Sequence, residues 1–577
     1  MISRARVPGG ERARELIDTL GAVAPRFAIP DRRTKLQLLD RLAGLPIRDP
    51  RALTRLHETL CFLQAYPDDR RVLAAVDEAL ATFPGRVKGL SPVAARRLQD
   101  SGIAGTALDY PFGLPMAAWL ASRFPRQVEI AWKKFHEADR LQESLMLLLQ
   151  RTEHDSASDE GGLGWRRWLE TAKGGRELSD LELLLELFQR ADVEEPTRDW
   201  LFESLALPIG WRLDGAGASR TFARLAGPRP CFRGGRALRR PDAAELMGEA
   251  RRPMPSLRPA SPPLARRLIE AARLAMATRL RELFAFSYAN PADVRVGDAG
   301  HGLRIALIGI LPASRMPYEG YYAYLALQNG VPVGYGAAWQ LFDTLELAVN
   351  VFESFRGGES AAILSQVLRA YHQAFGMKRV VVDPYQIGRD NPEALRSGAF
   401  YFYHRLGFRP RDPAVRRLAE EEREKIARQP AYRSPLAVLE KLAGSEISLV
   451  LADDAAPEPV TASRLATLVT EHIARRFRGD RRAAARAAVT RVVQALGVRR
   501  RRHWPPDERR AFDQLSLPIA LIPDLDRWPA ADRRRLVQVL RAKGGSSEAR
   551  YVRLLGGHGR LRRSLVALIE GASTGQE

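Results

Sequence analysis

The chain has 577 residues, of which 45% are apolar and 27% charged, and it carries a net charge of +22. These proportions exclude a globally disordered chain, because enough apolar residues are present to offset the entropy of ordering it. A chain of this length is expected to hold roughly three or four structural units, at about 100–200 residues per domain.

Segments that would target or anchor the chain are not evident. No stretch approaches the length of about 18 apolar residues that a membrane-spanning helix needs. The N-terminus, MISRARVPGGERARELID, lacks the apolar region of a secretory signal. Cys61 and Cys231 cannot build a disulfide framework, and they do not have zinc-ligand spacing. We therefore expect a cytoplasmic protein with no membrane partner and no bound metal.

The positive charge is unevenly distributed. Only nine of the 90 basic residues are Lys, an Arg bias typical of GC-rich coding rather than of a particular partner. Residues 212–263 carry +7 and residues 451–577 carry +11, which leaves the rest of the chain nearly neutral. Arg499–Arg502 is followed by His503-Trp504, and an aromatic ring beside positive charge is typical of nucleic-acid contacts. Attraction of an acidic ligand or protein partner is the alternative interpretation of these segments.

Apolar periodicity and composition divide the chain into four parts. Apolar residues recur at helical spacing from about residue 10 to 206 and predict an all-α N-terminal domain over 1–211. Residues 212–263 are rich in Gly, Pro and Arg and predict a linker. We predict an α/β domain with a mixed sheet over 264–453 and a small, basic α-helical domain over 454–577.

Within 264–453 the periodicity changes from that of helices to that of strands. A helix is predicted from Pro263 to about Leu283, and Asn329-Gly330 is the strongest hairpin signal in the chain. The predicted strands are Leu303–Leu311, Tyr321–Gln328, Val331–Leu341, Leu345–Phe352, Arg379–Asp383 and Ile447–Ala452. The predicted helices are Ala361–Phe375, Glu393–Leu406, 413–428 and 434–443.

The turn between the strand ending at Phe352 and the next helix is the most informative stretch. It reads VFESFRGGESAAIL over 351–364, a strand that enters a Gly-containing turn and then a helix. The free N–H groups of a first helical turn, together with the helix dipole, can hold an anion. Gly357 and Gly358 would let the backbone approach such a ligand closely. A plain tight turn is the alternative interpretation.

This turn and two later motifs resemble the GNAT superfamily of acyl-CoA-dependent N-acyltransferases. Val351, Arg356, Gly357 and Ala361 match the family pattern V-x-P-x-x-R-G-x-G-x-[GA]. The stretch GMKRVVVD at 376–383 resembles the family's entry to its next strand, and AFYFYHRLGF at 399–408 resembles its A-x-x-x-Y-x-x-x-G-F motif. The resemblance covers about 320–453, under a quarter of the chain.

The resemblance implies that the substrates are acetyl-CoA, or another acyl-CoA, and an amine of unknown identity. Tyr403 would protonate the departing thiolate, and a backbone N–H near Asn350–Phe352 would hold the carbonyl oxygen. Glu346 and Glu353 are candidate bases, and Asn350 could orient the amine. Tyr401 is the alternative to Tyr403 on the same helix. The residues expected to bind acyl-CoA are Val351, Phe352, Arg356, Gly357, Gly358, Glu359, Ser360 and Ala361.

The chain departs from the family pattern at several positions. Glu353 stands at the position of the family's Pro, and Glu359 stands at the third Gly. A carboxylate beside a pyrophosphate is unfavourable, unless Glu359 points to solvent or caps the helix. Asn391-Pro-Glu-Ala394 lies early relative to Tyr403, and a helical insertion over 413–444 separates the last two strands.

Three functions remain open from the sequence. The first is an acyl-CoA-dependent N-acyltransferase, an enzyme transferring an acetyl group to an amine. The second is a non-catalytic binding or scaffold protein with a GNAT-like fold. The third is a nucleic-acid-associated protein that uses the two basic segments. His57 and Cys61 lie i, i+4 on one helix, where core packing is the expected role and two metal ligands the alternative.

Overall fold

The structure is a computed structural model that describes residues 9–158, 161–215, 217–227, 229–429, 431–455 and 460–573. Residues 1–8 lie outside the described residues, and they include the start of the N-terminal stretch in which we expect no secretory signal. The chain divides into two compact units. The first comprises the residues up to 237 with 268–287 and 329–332, and the second comprises 238–267, 288–328 and the residues from 333 onward.

The first unit is mainly helical, and several of its helices begin at a side chain that accepts backbone N–H groups, among them Asp49, Asp69 and Ser179. Its helices are α1 (Gly9–Val23), α2 (Ile29–Ala43), α3 (Pro50–Ala65), α4 (Arg70–Ala81), α5 (Phe83–Lys88), α6 (Pro92–Arg96), α7 (Leu114–Arg123), α8 (Ala138–Leu148), α9 (His154–Ala157), α10 (Gly164–Lys173), α11 (Asp180–Arg190) and α12 (Glu195–Ser204). His57 and Cys61 are buried in α3, where His57 bonds Thr221 Oγ1 at 2.9 Å and packs against Phe83.

An all-α N-terminal domain is not what this unit contains. Three antiparallel strands form a small sheet in the order β1-β3-β2, namely β1 (Ala107–Tyr110), β2 (Val128–Ile130) and β3 (Ile209–Arg212). These strands have three or four residues each, which is too short for an alternating apolar pattern to stand out beside the helical stripes. The fully buried Trp211 on β3 anchors this sheet in the apolar core.

The predicted linker over 212–263 contains regular structure. Helix α13 (Ala243–Arg251) begins in a capping box, in which Asp242 and Glu245 each accept the other's backbone N–H. Strand β4 (Arg258–Pro259) lies at the edge of the large sheet, where a proline costs no ladder hydrogen bond. Helices α14 (Pro262–Ala277) and α15 (Phe284–Ser287) follow.

The large sheet has nine strands in the order β11-β12-β10-β9-β8-β7-β6-β5-β4. Strand β12 follows β11 in the chain but lies between β10 and β11, and β9 and β10 are parallel. The remaining strands are β5 (Ala289–Asp298), β6 (Leu303–Ile310), β7 (Gly320–Gln328), β8 (Val331–Leu341), β9 (Thr344–Val351), β10 (Arg379–Val382), β11 (Arg409–Pro410) and β12 (Ile447–Val450). The hairpin turn at Asn329-Gly330 has φ of 50° and 83°, as a two-residue turn of this type requires.

The helices between these strands are α16 (Ser360–Phe375), α17 (Pro384–Ile387), α18 (Pro392–Ser397), α19 (Ala399–Arg405), α20 (Pro413–Arg428) and α21 (Leu436–Leu442). The single helix predicted over Glu393–Leu406 is wrong, since α18 and α19 are separate. Gly398 divides them because it adopts the left-handed conformation (φ 69°) and its N–H closes α18 onto Ala394 and Leu395.

The C-terminal helices belong to the same unit as the large sheet, so the predicted separate domain over 454–577 is not a unit of its own. They are α22 (Ala462–Phe477), α23 (Arg481–Leu496), α24 (Pro506–Ile519), α25 (Ala530–Ala542), α26 (Glu548–Gly556) and α27 (Gly559–Ser573). Helix α26 packs so closely on β7 that a Cβ on Gly320 would lie 2.1 Å from Val552.

Buried charged groups join α25 and α26 to the sheet. Asp293 accepts hydrogen bonds from Tyr322 Oη at 2.7 Å, Ser547 Oγ at 2.6 Å and the Glu548 backbone N–H at 2.8 Å. Lys543 forms an ion pair with Glu548, and both side chains are buried. Burial lowers the pKa of Lys543, and Glu548 opposes that shift. Each charge therefore depends on its partner.

Lys543→Met is expected to lower the free energy of unfolding by about 3–5 kcal/mol, because it leaves the Glu548 carboxylate buried without its cation. Urea denaturation at neutral pH measures this loss. Lys441→Met removes an exposed lysine from the same unit and should change stability by about 0.5 kcal/mol or less. Equal effects of the two substitutions would show that the buried pair does not hold these helices to the sheet.

Candidate functional site

The second half of β9 has an open edge. Strand β9 pairs with β8 from Thr344 to Val351, but it pairs with β10 only over Thr344–Glu346. Strand β10 stops at Val382 because Asp383 caps a short helix, accepting the Tyr385 backbone N–H at 2.8 Å. No strand among the described residues therefore covers Leu347–Val351 on that side. The backbone groups of this segment that face away from β8 therefore have no strand partner there, as at the edge of a sheet to which an extended ligand can add.

The chain leaves this open edge and begins α16 after one short turn. The predicted cradle residues are brought together here, since Val351 ends β9 and Ser360 and Ala361 start α16. The first N–H groups of an α-helix have no partner within the helix. Ile363 is the first residue of α16 to donate back, to the Glu359 carbonyl at 2.8 Å. A Cβ on Gly357 would meet nothing within 4 Å, so there is open space beside the turn.

The Glu359 side chain neither points to solvent nor caps the helix, so neither condition under which its carboxylate would be tolerated is met. It is 1% exposed, and its carboxylate accepts the Arg239 backbone N–H at 2.7 Å. The Arg239 guanidinium lies 3.4 Å away and supplies a positive charge. The sequence could not reveal this pairing because the two residues lie 120 positions apart. The carboxylate is thus compensated by Arg239.

Two further predicted binding residues support the turn rather than lie free. Arg356 is exposed, donates to the Val351 carbonyl at 3.3 Å and forms an ion pair of 2.8 Å with Glu393 on α18. Phe352 is buried, and its N–H donates to the Val333 carbonyl at 3.1 Å. The Phe352 N–H is therefore not available for an incoming oxygen, and the Asn350 N–H interacts with Tyr324, which leaves Val351 of the predicted three. Gly358 N–H bonds the Phe355 carbonyl at 2.9 Å.

Tyr403 is buried on α19 and packs against Phe408, with 5.3 Å between ring centroids. Burial raises its pKa well above the ordinary value, so the hydroxyl keeps its proton through the neutral range. Tyr401 points elsewhere, since its hydroxyl lies 2.6 Å from Ser434 Oγ. The structure thus separates the two tyrosines that the sequence left as alternatives.

Tyr324 on β7 is a site residue that the sequence did not single out. It is fully buried, and its ring lies against Gly336 of β8. Burial raises the pKa of Tyr324 far above its ordinary value, the nearby Tyr403 raises it further, and the Asn350 backbone N–H lowers it. Tyr324 therefore lies near both Asn350 and Tyr403. Tyr324 lies in the run YYAY, and the alternation of side chains along a strand does not show which of these tyrosines faces the site.

Glu346 and Asn350 lie on the opposite face of β9 from the buried Leu345 and Leu347, as alternation in a strand requires. Glu346 is exposed, yet partial burial of its carboxylate, followed by repulsion from Asp383, Glu319 and Glu446, raises its pKa to about 7. A carboxyl group with this pKa can accept a proton near neutral pH. Glu353, the other candidate base, is exposed in the turn after β9.

The basic run near the C-terminus is partly engaged within the protein. Arg501 forms an ion pair with Asp513, and Trp504 packs on Phe512 with the Arg541 guanidinium 4.6 Å from its ring. Arg499, Arg500 and Arg502 are exposed. The aromatic ring that suggested a nucleic-acid contact is therefore half-buried in an intramolecular cluster.

Comparison with protein-family models, with curated proteins and with solved structures gave no match to this chain. None of the helices that the structure describes is long and apolar enough to cross a membrane. Any statement about function therefore depends on the site itself.

Proposed function

We propose that this protein is an acyl-CoA-dependent N-acyltransferase of the GNAT type, which transfers an acetyl group from acetyl-CoA, or another acyl group, to an amine. The observation that carries the proposal is the open edge of β9 leading directly into the N-terminus of α16. An extended thioester chain containing amides can pair with such an edge, and the adjoining helix N-terminus can hold its pyrophosphate. The first sequence motif spans this corner, the second lies at β10, and the third lies at α19.

Two further features support the proposal. Strands β9 and β10 are parallel and are joined through α16, and in the sheet β12 lies between β10 and β11. Tyr403 lies on α19, in the chain connection between β10 and β11. The Arg239 guanidinium compensates Glu359, the residue that departs most from the family pattern at the cradle. A phosphate at α16 would then meet a neutralised carboxylate rather than a free one.

The proposed reaction begins with a neutral amine on the Glu346 face of β9. Glu346, directly or through water, takes a proton from the amine as its nitrogen attacks the thioester carbonyl carbon. The oxyanion accepts a hydrogen bond from the backbone N–H of Val351. The C–S bond then breaks, the amide is released, and Tyr403 protonates the departing thiolate. Tyr324 supplies a second buried hydroxyl beside Asn350 and Tyr403.

A non-catalytic binding protein with the same fold is the second candidate, and the burial of Tyr403 against Phe408, as in an ordinary core residue, favours it. Release of free thiol from acetyl-CoA, measured with a panel of primary amines, distinguishes the two. Amine-dependent thiol release supports the transferase. Acetyl-CoA binding without thiol release for any amine supports the binding protein, and absence of binding at millimolar acetyl-CoA contradicts both.

The pH dependence of transfer tests the role of Glu346. Because this base acts when ionised and its pKa is about 7, the rate should rise with pH through about 7 and level off above it. Glu346→Gln should lower the rate by about 10²–10⁴-fold and remove this limb of the pH profile. An unchanged profile in Glu346→Gln, with loss of the limb in Glu353→Gln, would transfer the role to Glu353.

The raised pKa of Glu346 also affects the stability of the folded protein. The folded state binds the Glu346 proton more tightly than the unfolded state, whose carboxyl has an ordinary pKa near 4.5. Ionising Glu346 in the folded state therefore destabilises the protein as the pH rises from about 4.5 to about 7. Glu346→Gln should accordingly be at least as stable as the wild type at pH 8, so a lost rate cannot be attributed to unfolding.

A further inference from the structure

A second, basic groove lies beside α16 and outside the corner between β9 and α16. It has a volume of about 850 Å³ and lies between α13, α16 and the turn that joins β5 to β6. Four arginines and two carboxylates line it: Arg239, Arg240, Arg252, Arg369, Glu245 and Glu249. Its volume is in the range of sites that enclose whole small molecules.

Both carboxylates are already engaged by protein groups. Glu249 lies 2.8 Å from the Arg252 guanidinium and 3.6 Å from that of Arg369, and it accepts a hydrogen bond of 2.9 Å from Gln366. Glu245 accepts the Asp242 backbone N–H at 3.1 Å as part of the α13 capping box. Glu249 is therefore paired with Arg252 and Arg369, whereas Glu245 keeps its negative charge at the start of α13.

Arg240 carries a positive charge without a carboxylate partner, whereas Arg239 is paired with Glu359 and keeps one unsatisfied N–H group. The Nη2 group of Arg239 is buried and has no hydrogen-bond acceptor among the described residues, although its Nε faces Glu359. Arg240 is exposed, and no described carboxylate lies within ion-pair distance of it. An anion in the groove would therefore meet the unpaired Arg240 with the Arg239 side chain beside it.

The wall that α16 contributes is polar and close to the helix N-terminus. Ala362, Ser365 and Gln366 line the groove and are buried, so their positions are fixed before a ligand arrives. The positive end of the α16 dipole adds to the field of the two arginines. His301, on the turn between β5 and β6, is exposed at the opposite wall and offers a ring at the outer end.

We infer that this groove binds a small molecule carrying phosphate groups, with Arg239 and Arg240 as the anion-binding residues. Arginine is suited to this role because its planar donors match phosphate oxygens. The phosphates could belong to the nucleotide end of the acyl-CoA donor or to a free nucleotide. Only the first source rests on the proposed function.

Titration calorimetry with ATP, CoA and 3′-dephospho-CoA tests the inference. The wild type should bind ATP or CoA, and Arg239→Gln/Arg240→Gln should weaken that binding by about tenfold or more, since each lost contact is charge-assisted. Arg240→Gln alone, an exposed substitution with no partner to disturb, should weaken binding by a smaller factor. Arg266→Gln, which removes an exposed arginine outside the groove, should leave binding unchanged.

The probes distinguish the two sources. If the groove holds the nucleotide end of the donor, ATP should compete with CoA, and 3′-dephospho-CoA should bind more weakly than CoA. If it holds a free nucleotide, ATP binding should fall in Arg240→Gln while CoA affinity stays unchanged, because Arg239 still pairs with Glu359 in this variant. Either result supports a phosphate site. An equal loss in Arg266→Gln, or no effect of the double variant on any probe, would overturn it.

The phosphate-binding groove and the transferase are separate hypotheses, and each can be refuted without the other. ATP binding that depends on Arg239 and Arg240, without any binding of acetyl-CoA, would leave the groove in place and refute the transferase. Acetyl-CoA turnover that is insensitive to both arginines, without ATP binding, would refute the groove and leave the transferase.

Discussion

Ser360→Asp is expected to abolish the stabilisation of this protein by acetyl-CoA while leaving the free protein at least as stable as the wild type. Ser360 is the first residue of α16, where a carboxylate interacts favourably with the helix dipole by about 0.3–1 kcal/mol. The same carboxylate would occupy the field that the pyrophosphate needs and repel it. We expect the affinity for acetyl-CoA to fall by about 100-fold or more.

Thermal unfolding with and without acetyl-CoA measures this effect. A ligand at a hundredfold excess over its Kd stabilises the native state by about 2.7 kcal/mol, and the variant should lose this gain. The matched control is Ser463→Asp, which places the same charge in the first turn of α22, at an exposed position. Full stabilisation of Ser360→Asp by acetyl-CoA would show that α16 does not hold the pyrophosphate.

Tyr403→Phe should lower kcat by about 10²–10⁴-fold and leave acetyl-CoA binding intact, because only the proton for the thiolate is removed. The phenyl ring retains the packing of Tyr403 on Phe408, so the fold should be preserved. Thiol release under saturating acetyl-CoA measures kcat, and calorimetry measures binding. A further loss in Tyr324→Phe/Tyr403→Phe would show that Tyr324 supplies the residual activity of the single variant.

Tyr401→Phe is the control for this experiment. It removes a hydroxyl from the same helix, but that hydroxyl contacts Ser434 and not Tyr324. Its kcat should remain close to the wild-type value. Unchanged turnover in Tyr403→Phe, with a loss in Tyr401→Phe, would contradict the assignment that the structure favours.

Much of the α/β part could be predicted from local sequence. The strand over Val331–Leu341, the turn at Asn329-Gly330 and the helix stop at Gly376 are confirmed, because strand alternation and left-handed turn residues depend on near neighbours. The strand Ala289–Asp298 and the three short strands of the first unit were not predicted. Their apolar patterns are short or irregular, and only pairing with distant segments makes them strands.

The candidate site, like the fold, could be predicted only in part from the sequence. The sequence alone determined that a strand, a Gly-containing turn and a helix would bring Val351, Gly357 and Ser360 into one corner, since these residues are consecutive and local geometry governs them. Tertiary structure decided what faces that corner. Three features of the site depend on segments that are far apart in the chain. They are the pairing of Glu359 with Arg239, the position of Tyr324 near Tyr403, and the short pairing of β9 with β10. Such contacts depend on packing and long-range charge, which periodicity along the chain does not encode.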